Sequence, residues 1–298
     1  MDINKIKKNG KLAIANALVE IEQDPFSRET LLLLSEAYKV QTGYIIGITG
    51  PPGVGKSSLI KNLITNYRNQ RKTVAVVAVD PSSKKTGGAL LGDRIRLESD
   101  PDDQGLFIRS MAARDKLGGL ASITLSSVFL LNAIFDFIII ETVGVGQSET
   151  DIAHIADTVL FCVQPGSGDS LQFMKAGIVE IPDIVAITKS DLGEVADNTF
   201  NDISNSLKLS VSEDKKEIPV VNISTKENKN ISNLIEIINQ QKRINSSTTM
   251  KEQKVLQKSM FWLEESVKEQ LGINGIKKLR KIKVNASSPF MQYLDLIK

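Results

Sequence analysis

The chain has 298 residues, 41% of them hydrophobic and 24% charged, and its formal net charge is only +2. Those values fit a water-soluble chain with one large α/β domain and appendages, or two domains, and they argue against a polyanionic partner such as nucleic acid. The single cysteine, Cys162, excludes an internal disulfide and suits a reducing compartment.

Met1–Gly10 is polar and lysine-rich, with no apolar core after it, so no secretory leader is expected there. No apolar run approaches the roughly 20 residues that span a bilayer, and a cytoplasmic protein that binds no membrane is expected, or one in the matrix of an organelle if a targeting segment has been removed. Residues 1–43 read as a helical N-terminal extension. Leu12, Ala15, Leu18, Val19 and Glu22 fall at helical spacing, and Ser27-Arg-Glu-Thr30 opens a second helix.

The apolar run Tyr44–Thr49 reads as a buried strand that enters Gly50-Pro51-Pro52-Gly53-Val54-Gly55-Lys56-Ser57. This is the phosphate-loop pattern G-x-x-x-x-G-K-[S/T], with a helix predicted over 56–69. Glycines let the backbone approach an anion without a Cβ in the way. The free N–H groups of the loop and of the new helix, through Ser58, point at phosphate. Lys56 would reach the β- and γ-phosphates, and the Ser57 hydroxyl would ligate Mg²⁺.

Further strands are predicted over 73–80, 106–110, 135–141, 158–164, 183–188 and 218–222, and further helices over 117–133, 169–178, 194–209 and 230–241. Most of the strands are continuous apolar runs rich in Val and Ile, as in parallel sheets covered on both faces. The expected fold class is therefore α/β: a P-loop NTPase with a mostly parallel sheet flanked by helices, over residues 44–242, plus helical N- and C-terminal extensions. Ligand is expected at the carboxyl ends of the strands.

Several of those strand ends carry acids. Asp80 closes one strand, Asp93 lies in Leu91-Gly-Asp-Arg94, and Glu141 ends Phe137-Ile-Ile-Ile-Glu141. With Ser57 they form the candidate Mg²⁺ set, because that ion takes hard oxygen ligands. The loop after Glu141 holds Gly144, whose N–H could meet a γ-phosphate, as in a switch released on hydrolysis. Cys162, within an apolar strand, reads as core rather than nucleophile, and His154, the only histidine, as structural rather than metal-binding.

Thr188-Lys189-Ser190-Asp191 occupies the place where guanine binders carry N-K-x-D. Asp191 would accept from guanine N1–H and the 2-amino group, and the Lys189 stem would lie along the base. With Thr in place of Asn, a bond to the base or loop worth about 1 kcal/mol is expected to be lost. Ser224, Thr225 and Lys226 follow the last strand, where a Ser-Ala-Lys loop often touches the base. GTP and GDP are thus the expected substrate and product, with Mg²⁺. An ATP-using NTPase or kinase and a metallochaperone-type GTPase share the fold and remain alternatives, although the latter would want a Cys/His cluster.

Residues 243–298 read as a C-terminal helical extension after a polar linker, 243–249. Leu256, Met260, Leu263, Val267 and Leu271 recur at helical spacing, widened by Phe261 and Trp262. Spacing alone leaves open whether this stripe packs on its own domain or on a second copy. The basic excess of residues 250–298 reads as a solvated helix surface.

The motifs VAVDPSSKKTGGALLGDRIRL (77–97), FIRSMAARDKLGGLA (107–121) and FDFIIIETVGVGQSETDIAHIADTVLFCVQPGSGDSLQFMKAGIVEI (135–181) closely resemble the MeaB/ArgK family of GTPases. The likeness runs from about Thr42 to Ile238. It implies a chaperone of adenosylcobalamin-dependent acyl-CoA mutases, methylmalonyl-CoA mutase above all, whose GTP hydrolysis gates cofactor loading and protection. It also implies a homodimer built largely through the C-terminal extension. Carried over by motif, Lys56, Asp80 and Glu141 serve catalysis. The stretch 164–175 resembles a third switch, from which Lys175 would enter as a catalytic cation in the partner complex. The chain departs from the family at Thr188, at Thr225 and at Arg114-Asp-Lys-Leu-Gly-Gly119, where Asp115 and Lys116 replace Gly and His.

Overall fold

The computed structural model describes residues 2–80, 102–112, 122–142, 148–166, 181–210, 217–279 and 288–297. It opens with three helices, α1 (Ile3–Lys8), α2 (Gly10–Gln23) and α3 (Arg28–Lys39). The sheet domain follows: β1 (Tyr44–Thr49), α4 (Lys56–Asn69), β2 (Val74–Asp80), β3 (Leu106–Ala112), α5 (Ser122–Asn132), β4 (Phe137–Glu141), α6 (Ser148–Ile155) and β5 (Thr158–Val163). After these come β6 (Ile184–Ile187), a 3-10 turn (Ser190–Leu192), α7 (Glu194–Ser210), β7 (Val220–Asn222) and α8 (Ile231–Asn245). Two helices close the chain, α9 (Thr248–Leu279) and α10 (Pro289–Ile297). The helix predicted over 169–178 and the first residues of that over 117–133 lie outside the described residues.

The sheet has seven strands in the order β3-β2-β4-β1-β5-β6-β7, and every pairing is parallel. The chain first places β2, β3 and β4 on one side of β1, with β4 inserted between β1 and β2, and then reverses to β5, β6 and β7 on the other. That reversal opens a crevice at the carboxyl ends of β1 and β5, which is where a ligand fits such a sheet. All residues of β1, β4, β5 and β6 are buried, so these strands read as unbroken apolar runs rather than alternating ones.

Alternate side chains serve the two faces of the sheet. On one face Ile46, Ile48, Val76, Ile139, Leu160 and Cys162 meet α4 and α8. On the other, Ile45, Val77, Ile138, Ile140 and Val159 meet α5, α6 and the terminal helices. Toward β6 and β7 that second face is continued by Phe161, Val163, Val185 and Ile187 against Ile203 and Leu207 of α7.

Helix α5 is buried along its whole length because the N- and C-terminal helices cover the side that the sheet does not. Tyr38 of α3 packs on Phe129, and Trp262 of α9 and Phe290 of α10 share the same core. The Trp262 indole donates to Ser126 Oγ at 2.8 Å, and Ser122 Oγ donates to the Glu269 carboxylate. Small hydroxyl residues on α5 thus satisfy the polar atoms that a wide aromatic core brings with it.

Three sequence expectations are corrected. In α2 the core face is Ile14, Ala17, Leu18 and Ile21, whereas Leu12 is 74% exposed and Val19 lies at the rim. Both sets fit a helical period, and packing against α5 selects the one with two β-branched isoleucines. Glu22, expected on the apolar stripe, pairs instead with Arg109 of β3 at 2.6 Å. The predicted linker 243–249 is the end of α8 and the start of α9, with only Ser246 and Ser247 between them.

In α9 the stripe divides. Trp262, Leu263 and Val267 are buried, while Leu256, Met260 and Leu271 each stay about two-fifths exposed, at 40%, 39% and 38%. The helix breaks at Gly272, whose φ is +58°, a conformation open to glycine.

A charged joint docks α9 on the sheet domain. Asp157, between α6 and β5, accepts from Lys258 Nζ and, through its other carboxylate oxygen, from Ile45 N at 2.8 Å. Its carbonyl accepts from Asn245 Nδ2 at 2.7 Å and from Lys254 Nζ. Lys258 is 8% exposed, so removing its partner leaves a buried charge. Asp157→Ala is expected to lower unfolding stability by about 3 kcal/mol in urea titrations. Asp157→Asn with Lys258→Met is expected to recover most of that loss, because the two changes remove both charges together; an unchanged midpoint in the single variant would show that the pair does not dock the helix.

Candidate nucleotide-binding site

The loop 50–55 connects β1 to α4 across the crevice. Gly50, Gly53 and Gly55 have φ of +137°, +76° and +105°, values that L side chains rarely adopt. At Gly50 a Cβ would also lie 2.3 Å from the carbonyl oxygen of Cys162, so glycine is required there on two counts. Val54 is buried beneath the loop, while Pro52, Gly53 and Ser58 face solvent and Pro51 is half-buried. Lys56 is buried, and its ammonium donates to the carbonyls of Gly50 at 2.6 Å and Pro51 at 3.1 Å.

The hydroxyl of Ser57, in the first turn of α4, donates to Glu141 Oε1 at 3.0 Å. Glu141 ends β4 and is 6% exposed. Behind this pair Thr142 Oγ1 donates to Thr49 Oγ1 at 2.9 Å, tying the ends of β4 and β1 together. A hydroxyl and a carboxylate oxygen side by side are hard donors of the kind a Mg²⁺ ion selects, so the residues present fit that ion. Asp80 ends β2, two strands from β1, at the same edge of the sheet. Asp93, Gly144 and Lys175 lie outside the described residues.

On the other side of the loop stand the ends of β6 and β7. Thr188 is buried, and its hydroxyl lies 2.6 Å from the carbonyl of Val54, in the phosphate loop, and 3.0 Å from that of Val163, at the end of β5. On the protein side a hydrogen bond is therefore made: the hydroxyl ties this loop to the phosphate loop. Lys189 follows with φ +52°, a left-handed conformation that costs a non-glycine residue on the order of 1 kcal/mol. The turn sends its ammonium back to Gly53 O at 3.0 Å and to Gln164 Oε1 at 2.8 Å.

Asp191 accepts from Ser224 Oγ at 2.7 Å. That hydrogen bond, helped by the charges of Lys226 and Lys189, holds its carboxyl below the usual carboxylate range, so it stays an ionised acceptor. Ser224 is fully buried, and it and Lys229 exchange both backbone hydrogen bonds, which closes the loop that carries Thr225 and Lys226. Thr225 is half-buried and Lys226 exposed.

Cys162 is fully buried and its thiol is pushed up to about 12 by that burial, which makes it a neutral core residue. His154 of α6 stacks on Phe261 of α9 at 4.7 Å, a packing contact away from the phosphate loop. The sequence reading took Gln164 only as the first residue of the stretch 164–175 and passed over the Thr49–Thr142 pair. A polar residue that closes an apolar strand run at the carboxyl edge of the sheet was the available signal for each.

Thr188 joins the end of β6 to the phosphate loop, which yields a test. Thr188→Val removes the only hydroxyl of that residue and is expected to cost about 1–2 kcal/mol, read as a lowered thermal midpoint, with Thr188→Ser recovering much of it. Equal stability of all three proteins would show that the tie is not a structural link.

Comparison with known proteins shows the family of the chain. A family model described as methylmalonyl Co-A mutase-associated GTPase MeaB matches residues 12–278. A Pyrococcus horikoshii protein whose name assigns it only provisionally as a GTPase is 39% identical over 271 residues, covering 89% of this chain and 83% of that one. GTPase ArgK of Escherichia coli is 34% identical over 193 residues, 63% of this chain and 58% of that one. Among solved structures, a LAO/AO transport system kinase superposes with a TM-score of 0.71 at 22% identity, over 99% of this chain and 96% of its own; at that identity the likeness concerns the fold. The chain belongs to the methylmalonyl-CoA mutase-associated MeaB family of P-loop GTPases.

Proposed function

We propose that the protein hydrolyses GTP to GDP and phosphate in the cytoplasm. This cycle gates cofactor loading and protection of an adenosylcobalamin-dependent acyl-CoA mutase, methylmalonyl-CoA mutase in the first place. The observation that carries the nucleotide half is on the base side. An ionised Asp191, held by Ser224, stands beside a Lys189 whose ammonium is tied to the phosphate loop. A carboxylate in that place matches the N1–H and 2-amino donors of guanine, whereas adenine offers no such donor pair. The mutase half is supported by the family alone.

In this reading Gly50 to Ser58 cradle the phosphates with backbone N–H groups, and Lys56 turns from its loop carbonyls toward the β- and γ-phosphates. Ser57 and Glu141 hold Mg²⁺, with Asp80 and Asp93 as further oxygen ligands. When bound, the ion would neutralise phosphate charge. Glu141 and Asp80 orient the attacking water, Gly144 meets the γ-phosphate, and Thr188, Lys189, Asp191 and the Ser224-Thr225-Lys226 loop enclose the base. Lys175 completes the site as a cation when the mutase binds, in the manner of an arginine finger.

The deciding measurement is hydrolysis of GTP, with ATP as control, by the purified protein alone and with a cobalamin-dependent acyl-CoA mutase from the same genome. Stimulation with GTP only is the expected result, and Asp191→Ala should loosen GDP at least tenfold, about the loss of one hydrogen bond to a charged group. Equal use of ATP would point to the rival ATP-using NTPase and would overturn the guanine reading. Preference for GTP without stimulation by the mutase would overturn the chaperone role and leave the nucleotide half standing.

A homodimer is part of the proposal. The half of the α9 stripe that its own domain does not cover, Leu256, Met260 and Leu271, offers an apolar face to a second copy. Met260→Glu is expected to give a monomer by light scattering, and a persistent dimer would place the interface elsewhere.

A further inference from the structure

The proposed function gives Gln164 no role at the site. It follows β5 directly, at the carboxyl edge of the sheet, one step beyond Val163. Its side chain is half-buried, and Oε1 accepts from Lys189 Nζ at 2.8 Å. Lys189 Nζ also donates to Gly53 O at 3.0 Å, so the ammonium is held between two acceptors that belong to different elements, the phosphate loop and the end of β5.

The backbone around Gln164 is itself pinned. Immediately before it, Val163 O accepts from Thr188 N at 2.9 Å and from the Thr188 hydroxyl. Two residues after it, Gly166 N donates to Thr199 Oγ1 of α7 at 3.3 Å, and a Cβ at Gly166 would press on Val195. The amide therefore projects from a fixed stub rather than from a free loop end, which is what precise placement of a partner group requires.

A lysine needs such placement if its stem is to serve as a surface for a base. The four-carbon chain is flexible, and ordering it costs rotamer entropy that one exposed hydrogen bond barely offsets. Two anchors on separate rigid elements restrict the stem before any ligand arrives, so less ordering remains to be done on binding.

We propose that Gln164 is a positioning residue for base recognition: by holding the Lys189 ammonium against the phosphate loop, it sets how tightly and how long guanine nucleotide is retained. The inference rests on the guanine reading of the site and deepens it.

The test measures equilibrium binding and dissociation of a fluorescent GDP, with a fluorescent ADP as control, on the full chain. Four proteins form a cycle: wild type, Gln164→Leu, Lys189→Ala and the double variant. Gln164→Leu is expected to loosen GDP about three- to tenfold, through faster dissociation, and to have no further effect once Lys189 is alanine. Gln164→Glu, which keeps an acceptor for the ammonium, is expected to restore wild-type retention. A role in stability alone would loosen GDP equally with and without Lys189, and Gln164→Glu would not rescue it. Additive effects, no effect of Gln164→Leu, or failure of rescue in a protein that prefers GDP over ADP would overturn this inference alone. Equal affinity of the wild type for the two nucleotides would overturn the guanine reading and this inference with it.

Discussion

Everything at this site depends on one close approach of two backbones. Where the chain reverses its direction across the sheet, the loop leaving β1 passes so near β5 that a Cβ on Gly50 would sit 2.3 Å from the carbonyl of Cys162. Only glycine lets the loop lie there. With that contact made, the loop N–H groups and the first turn of α4 are held over the crevice, and the ends of β4, β6 and β7 line up around them. Gly47 serves the same geometry one level down, since a Cβ there would run into Ile152 of α6 at 2.6 Å. The strand beneath the phosphate loop is thin so that its neighbours can come close.

The two halves of the site are one mechanical unit. The phosphate loop is joined to the end of β6 by Thr188 and Lys189, through the carbonyls of Val54 and Gly53. It is joined to the end of β4 by the Ser57–Glu141 contact and by the pair Thr142–Thr49 beneath it. Lys189 adopts a left-handed backbone to make its contacts, and strain of this kind persists only where surrounding structure over-determines it. A ligand entering such a site meets groups already placed, with little conformational entropy left to lose.

The terminal extensions are part of the same core. Helices α3, α9 and α10 enclose α5, whose polar groups Ser122 and Ser126 bond to Glu269 and Trp262 of α9. Helix α9 also reaches α6 through the stacking of Phe261 on His154 and reaches the start of β5 through Asp157. It thus braces the two helices that lead from the β3 and β4 edges back into the domain. Burial of Lys258 beside a half-buried Asp157 makes this brace directional, because an unpaired charge in that place is more costly than apolar contacts slightly out of register.

The sequence alone was enough for what depends on neighbours in the chain. Seven strands were legible because buried parallel strands are continuous Val- and Ile-rich runs, and the phosphate loop because its glycines and Lys56 answer local demands of backbone and charge. The Ser27 start of α3 was legible for the same reason, its hydroxyl capping Thr30 N at 3.1 Å. What the tertiary structure decided were the facts that depend on a partner far along the chain. Which face of α2 is buried depended on α5, and which half of the α9 stripe is covered depended on Ser126 and Phe290. The Thr188 hydroxyl finds a carbonyl 134 residues away, and the Gln164 amide an ammonium 25 residues away. Periodicity shows that a helix has a face and a motif shows that a loop binds an anion, but a hydrogen bond across the fold needs a distance, and only packing sets that.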